Sequence, residues 1–182
     1  AHVPDPNGFV AGMRLLMRKN GIVVVEVPYV RDLIDNCEFD TIYHEHLSYF
    51  SLTSLSQLLS NNGLVIRDIE RLPIHGGSLR LFLARDDSNP TPNGGNSRVE
   101  KLLDEEIACG VNTIEYYRDF SNRVEGLKNA LVTLLRDLNR RGSRLVAYGA
   151  AAKGTVLLNF FGIGPDILDF VVDRNIHKQG RY

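Results

Sequence analysis

Residues 41–50, TIYHEHLSYF, gather two histidines, a glutamate and two tyrosines, and the grouping calls for a chemical explanation. An imidazole titrates near neutral pH and can take a proton from oxygen or carbon. A neighbouring carboxylate can fix its tautomer and hold the cation that forms. His46 with Glu45 offers such a pair. Two plainer descriptions fit the same residues: solvated loop side chains, or His44 and His46 as two ligands of a metal whose third ligand lies elsewhere. Nearby titratable groups alone do not choose among the three.

A second candidate is Tyr148-Gly-Ala-Ala-Ala-Lys-Gly154. It follows a strand pattern and opens a helix pattern, as the dinucleotide fingerprint does, with alanine where the middle glycine would stand. Asp173, at the end of the next strand, occupies the place where an acidic residue often meets a ribose hydroxyl. The helix N-terminus offers free amides to a phosphate, and Lys153 adds charge. The competing explanation is that small residues merely let helix and strand approach closely. His75-Gly-Gly-Ser78 carries a histidine and a hydroxyl, but its glycines are most simply turn chemistry.

These segments must be held by ordered elements. Phe9, Val10, Met13, Leu16 and Met17 share one helical face, closed by Asn20-Gly21. IVVVEV, residues 22–27, is β-branched and almost unbroken, which predicts a strand buried on both faces of a parallel sheet and ended by Pro28. One helical turn is expected over residues 30–34. A helix follows from about Leu52, capped by Ser51 or Thr53, with Leu52, Leu55, Leu58 and Leu59 inward. LVIRDIERL and SLRLFLAR are separated by too few residues for a crossover helix, so they should pair antiparallel.

Asp86 to Ser97 is rich in Pro, Gly, Asn, Asp and Ser and holds no large apolar group, so a linker is expected over 87–97. Beyond it come a short helix around Val99 to Ile107 and a long one from Ile114 to Leu138, with Arg140-Arg-Gly142 as its stop. RLVAYG, AAAKGTVLLNFFGI and ILDFVVD then spell one βαβ unit with parallel strands. The fold class is therefore α/β, with residues 1–86 and 98–182 as the expected domains.

Ligands of open α/β sheets bind beyond the carboxyl ends of the strands, which singles out AHVPD, the YHEH loop and the YGAAAKG turn. A chain of 182 residues with 43% hydrophobic and 24% charged residues can bury a sizeable core. Its formal net charge of −1 gives no field to gather nucleic acid or an anionic membrane, so a small-molecule partner is expected. No apolar run approaches a membrane span, and AHVPDPNG has no signal-peptide character. Cys37 and Cys109 form no Cys-x-x-Cys pair, which argues against a zinc knuckle and for a reducing, cytoplasmic setting. Both ends are expected to be cuts in a longer chain.

Together, EVPY, FDTIYHEHLSYFSLTSL, HGGSLR, VAYGAAAKGTVLLNFFGI and DFVVDRNIHKQGRY resemble the sugar C-methyltransferases that act on nucleotide-linked deoxysugars. The resemblance implies that residues 1–86 are the later half of a class I methyltransferase-like Rossmann sheet, ending in its closing antiparallel hairpin. It further implies that residues 98–182 are helices followed by the start of a C-terminal Rossmann-like domain. The implied cofactor is S-adenosylmethionine, most of whose site would precede Ala1, and the implied partner is a nucleotide-diphosphate sugar. No resident metal is implied for this segment, and the fragment alone would not be active, though it could associate with another copy of itself.

Carried over position by position, His46 matches the family's proposed base, and His2, Tyr43 and Glu45 match neighbours that orient or stabilise an enolate. Gly149, Lys153 and Asp173, with Lys178 and Ser78, would serve the substrate's nucleotide diphosphate and sugar. Two other functions fit the residues less closely: an NAD-dependent oxidoreductase built on GAAAKG, and a sugar-nucleotide binding module without catalysis.

Overall fold

The computed structural model describes residues 1–87 and 97–181. Most of the expected linker, residues 88–96, lies outside the described residues. The chain forms two compact units, the first made of residues 1–38 with 45–118 and the second of residues 39–44 with 119–182. Compactness thus divides the chain within a helix, after Arg118, whereas composition places the expected boundary at residues 87–97.

In the first unit, helix α1 (Pro6–Leu16) begins with Asp5 as its cap, whose carboxylate accepts the Gly8 amide at 3.0 Å, and with Pro6 in the first turn. Strand β1 (Val23–Pro28) follows, then the short helix α2 (Val30–Asp35). Helix α3 (Leu52–Asn61) starts from Ser51, which exchanges hydrogen bonds with Ser54 in a reciprocal cap. Strands β2 (Leu64–Leu72) and β3 (Ser78–Arg85) form the antiparallel hairpin that their short connection requires. Helix α4 (Ser97–Cys109) completes the unit with the first turn of the long helix α5 (Ile114–Arg140).

The sheet order is β1-β3-β2, and β3 is antiparallel to both neighbours. Leu81 stands opposite Val25 on one side and Ile69 on the other, at the centre of a core that includes Leu52, Leu64, Leu79 and Leu83. Arg80, level with Glu26 and Glu70, pairs with both across the strands.

The expectation for IVVVEV requires correction. Among the described residues β1 has one strand partner, antiparallel β3, and Val24 is 53% exposed. A β-branched run reports that a strand favours burial, but the identity of its neighbour is set by chain segments far away in sequence.

In the second unit, Phe39 to Thr41 form a 3-10 turn, and the ring of Phe39 stacks on Phe161 at 5.0 Å. Strand β4 (Val146–Tyr148), helix α6 (Ala152–Phe161) and strand β5 (Phe170–Val172) make the expected unit with parallel strands. The strands are shorter than their apolar patterns, and Val146, Phe170, Val171 and Val172 remain 39–51% exposed. Val124, Phe161, Ile163 and Ile167 form this unit's core with Phe39. Both units are α/β, the first with a small antiparallel sheet and the second with a parallel strand pair.

Candidate functional site

The antiparallel register sets the place of the site. Ser78 is level with both Pro28 and Leu72, so the carboxyl end of β1 and the β2–β3 turn lie at the same end of the sheet. The loop carrying His46 leaves from that end. The segment leading into α1 is tied to it by the Leu47 amide, which donates to the Ala1 carbonyl at 2.8 Å.

This tie brings two distant histidines together. The imidazoles of His2 and His46 are stacked, with centroids 5.0 Å apart and planes 14° from parallel. Tyr49 meets His46 edge-on at 6.4 Å. His46 is half-buried, whereas His2 and Glu45 are exposed. Tyr43 and His44 belong to the second unit, where their rings lie edge to face at 6.2 Å. Among the described residues no group of three metal-ligating side chains is assembled.

Around this end of the sheet the sequence conceals a polar framework. Arg71 grips Asp32 through two nitrogens and lies 5.4 Å over the ring of Tyr29. Gly77, at φ +117, presses its Cα face against Asp32, so the turn glycines are required by a close approach as well as by backbone angle. Tyr29 is 1% exposed and donates to Glu106 at 2.9 Å. Burial and the Glu106 carboxylate together hold the Tyr29 hydroxyl above its ordinary range. Neither Glu106 nor Asp32 was identifiable beforehand, because each resembles any surface acid on an amphipathic helix.

Ser78 stands at the start of β3. It is 2% exposed, and its hydroxyl donates to the Ile74 carbonyl at 3.1 Å. The hydroxyl closes the hairpin turn, as a short polar side chain at a strand entrance readily does.

The remaining predicted residues gather in the second unit. Gly149, at φ +100, donates its amide to the Val172 carbonyl at 2.7 Å. Asp173 accepts from the amides of Ala150 at 2.8 Å and Asn175 at 2.7 Å, and Lys178 donates to the Ala150 carbonyl at 2.5 Å. The two amides hold the Asp173 carboxyl below the usual carboxylate range, with Lys178 contributing. Asp173 therefore locks the turn before α6, and the Ala150 amide is already taken. Lys153 is half-buried in the first turn of α6.

Comparison with known proteins agrees with this architecture. Residues 73–182 match the family described as "C-methyltransferase C-terminal domain", and residues 1–69 match that described as "Methyltransferase domain". The change from one to the other falls in the β2–β3 hairpin, so the sheet draws strands from both. Over 183 aligned residues the chain is 37% identical to C-methyltransferase NovU of Streptomyces niveus, covering 100% of this chain and 42% of that protein. The chain thus spans less than half the length of that curated relative.

Proposed function

The chain belongs to the C-methyltransferase family, and from that premise we propose that it carries the proton-abstracting residues for methyl transfer to a carbon of a nucleotide-linked 4-keto-deoxysugar. The carbonyl acidifies the neighbouring C3–H bond, and His46 takes that proton. The electron pair left behind delocalises into the carbonyl as an enolate, whose carbon would form the new bond to methyl as the methyl–sulfur bond of the donor breaks and its electron pair stays on sulfur as a neutral thioether. His2 fixes the plane of the His46 ring by stacking, while Glu45 holds the imidazolium that forms when His46 takes the proton.

S-adenosylmethionine, when bound, supplies an electrophilic methyl group. The residues here fit such a donor through their chemistry: an imidazole pair at a strand end generates a carbon nucleophile, which needs an electrophile as its partner. Within the second unit, the turn before α6, with Gly149 and Lys153, is proposed as a diphosphate-binding turn that Asp173 and Lys178 hold in shape.

The observation that carries this reading is the His2–His46 stack, formed by the loop that leaves the carboxyl end of β1. Counting against hydride chemistry is the alanine that stands where the dinucleotide fingerprint has its middle glycine. The test uses the full-length protein, a thymidine diphosphate-linked 4-keto-6-deoxysugar and deuterated water. Wild-type protein should exchange the hydrogen beside the carbonyl, and His46→Ala should lose that exchange while still binding thymidine diphosphate. Undiminished exchange in His46→Ala would remove the base from the mechanism, and a thermal shift with NADH but none with thymidine diphosphate would replace the reading by an oxidoreductase.

A further inference from the structure

Glu106 on α4 is 0% exposed, and a buried carboxylate is tolerated only when its oxygens are fully satisfied. Here they are. Oε1 accepts from the Tyr29 hydroxyl at 2.9 Å and the Leu52 amide at 2.6 Å. Oε2 accepts from the Thr53 amide at 2.8 Å and the Thr53 hydroxyl at 2.6 Å. Leu52 and Thr53 open α3, so Glu106 takes the first two orphan amides of that helix while Ser51 takes the amide of Ser54.

The positions of these donors matter more than their number. Tyr29 is the residue immediately after β1, and Leu52 is the first residue of α3; between them runs the whole connection that carries His46. The neck of that connection is closed by the Tyr29–Phe50 bridge and by the Val30 amide, which donates to the Phe50 carbonyl at 2.9 Å. One carboxylate thus grips both ends of the loop. Beside it, Glu105 meets Arg31 at 3.2 Å, so α4 holds the entrance of the loop through two successive residues. An apolar side chain of similar size would seal the core with less desolvation cost, which argues that the charge is retained to fix position.

We infer that Glu106 is a positioning residue: through Tyr29, Leu52 and Thr53 it sets the neck of the loop and thereby the seat of the His46 ring. The inference deepens the function proposed above and rests on it for its catalytic consequence. It assigns to α4, a helix beyond the composition-defined linker, a part in the chemistry of the loop.

The experiment compares Glu106→Gln, which keeps the volume and removes the charge, with Tyr29→Phe, which removes one donor to Glu106. Each is treated with diethyl pyrocarbonate at neutral pH, and N-carbethoxylation is followed histidine by histidine by mass spectrometry. The half-buried His46 should be modified at least about threefold faster than in wild type, while the exposed His75 and His177 keep their rates, as expected of local rather than global opening. In the full-length protein, turnover should fall by roughly tenfold or more with the KM for S-adenosylmethionine unchanged. Wild-type modification of His46 in both folded variants would overturn the inference, as would equal acceleration at all the histidines, which marks a purely structural role. The labelling uses no substrate. It therefore succeeds or fails separately from the methyl-transfer reading, which stands or falls on His46→Ala.

Discussion

The imidazoles of His2 and His46 lie face to face, 5.0 Å apart, although one precedes α1 and the other lies in the loop before α3. If the stack holds the base in its reactive orientation, removing either ring should affect rate rather than binding. Turnover of the full-length protein is expected to fall about 100-fold or more in His46→Ala, the scale of losing a general base. His2→Ala should cost roughly tenfold, through misorientation. Steady-state kinetics with both substrates varied would separate kcat from KM.

The turn glycines differ in what surrounds them. A Cβ on Gly77 would stand 2.3 Å from the Cβ of Asp32, which is buried and gripped by Arg71 and cannot swing aside. Gly142 has a similar φ of +84 but nothing within 4 Å. Gly77→Ala should therefore destabilise by upwards of about 2 kcal/mol, against about 1 kcal/mol for Gly142→Ala. Urea denaturation of the two variants would read the difference.

Tyr29 predicts an alkaline limit to stability. Its folded-state pKa is raised above the ordinary 10.0 by burial and Glu106, so the neutral phenol is favoured by folding. That contribution is complete below pH 10.0 and declines as pH rises beyond it. Tyr116 and Tyr117, also raised, act in the same direction. Tyr29→Phe should lose stability at neutral pH yet show a shallower fall between roughly pH 10 and 12, measured by urea midpoints across that range.

Asp173 predicts the opposite arm. Its carboxyl lies below the ordinary 3.8 because the Asn175 and Ala150 amides donate to it. The stabilisation is complete above pH 3.8 and is lost as pH falls through the depressed value. The amide proton shifts of Ala150 and Asn175 should move together with that midpoint in an NMR titration. In Asp173→Asn the acid transition should disappear at both amides.

The site was legible to different depths for physical reasons. YHEH and GAAAKG were visible because reactive residue types cluster within a few positions, and clustering is a local property. Asp173 was expected to face a ligand, yet it spends its oxygens on the turn before α6, since backbone amides left unpaired there attract the nearest carboxylate. Ser78 was drawn inward for a similar reason, the open carbonyl of Ile74 lying within its reach. Glu106 and Asp32 had no local signature at all, because their partners Tyr29, Leu52 and Arg71 lie tens of positions away.

Taken alone, the order of residues determined what depends on near neighbours: the helices α1, α3 and α5, the buried leucines of α3, the Ser51 cap, the hairpin that PIHGG forces, and the parallel pair around α6. These follow from side-chain periodicity and backbone preference over a few residues. Tertiary structure alone decided that β3 lies between β1 and β2, that His2 stacks on His46, and that a glutamate from α4 grips both ends of the base-bearing loop. The physical reason is the same in each case. Such contacts are chosen by burial and by the demand that every buried polar group find a partner, and those conditions exist only once distant segments have come together.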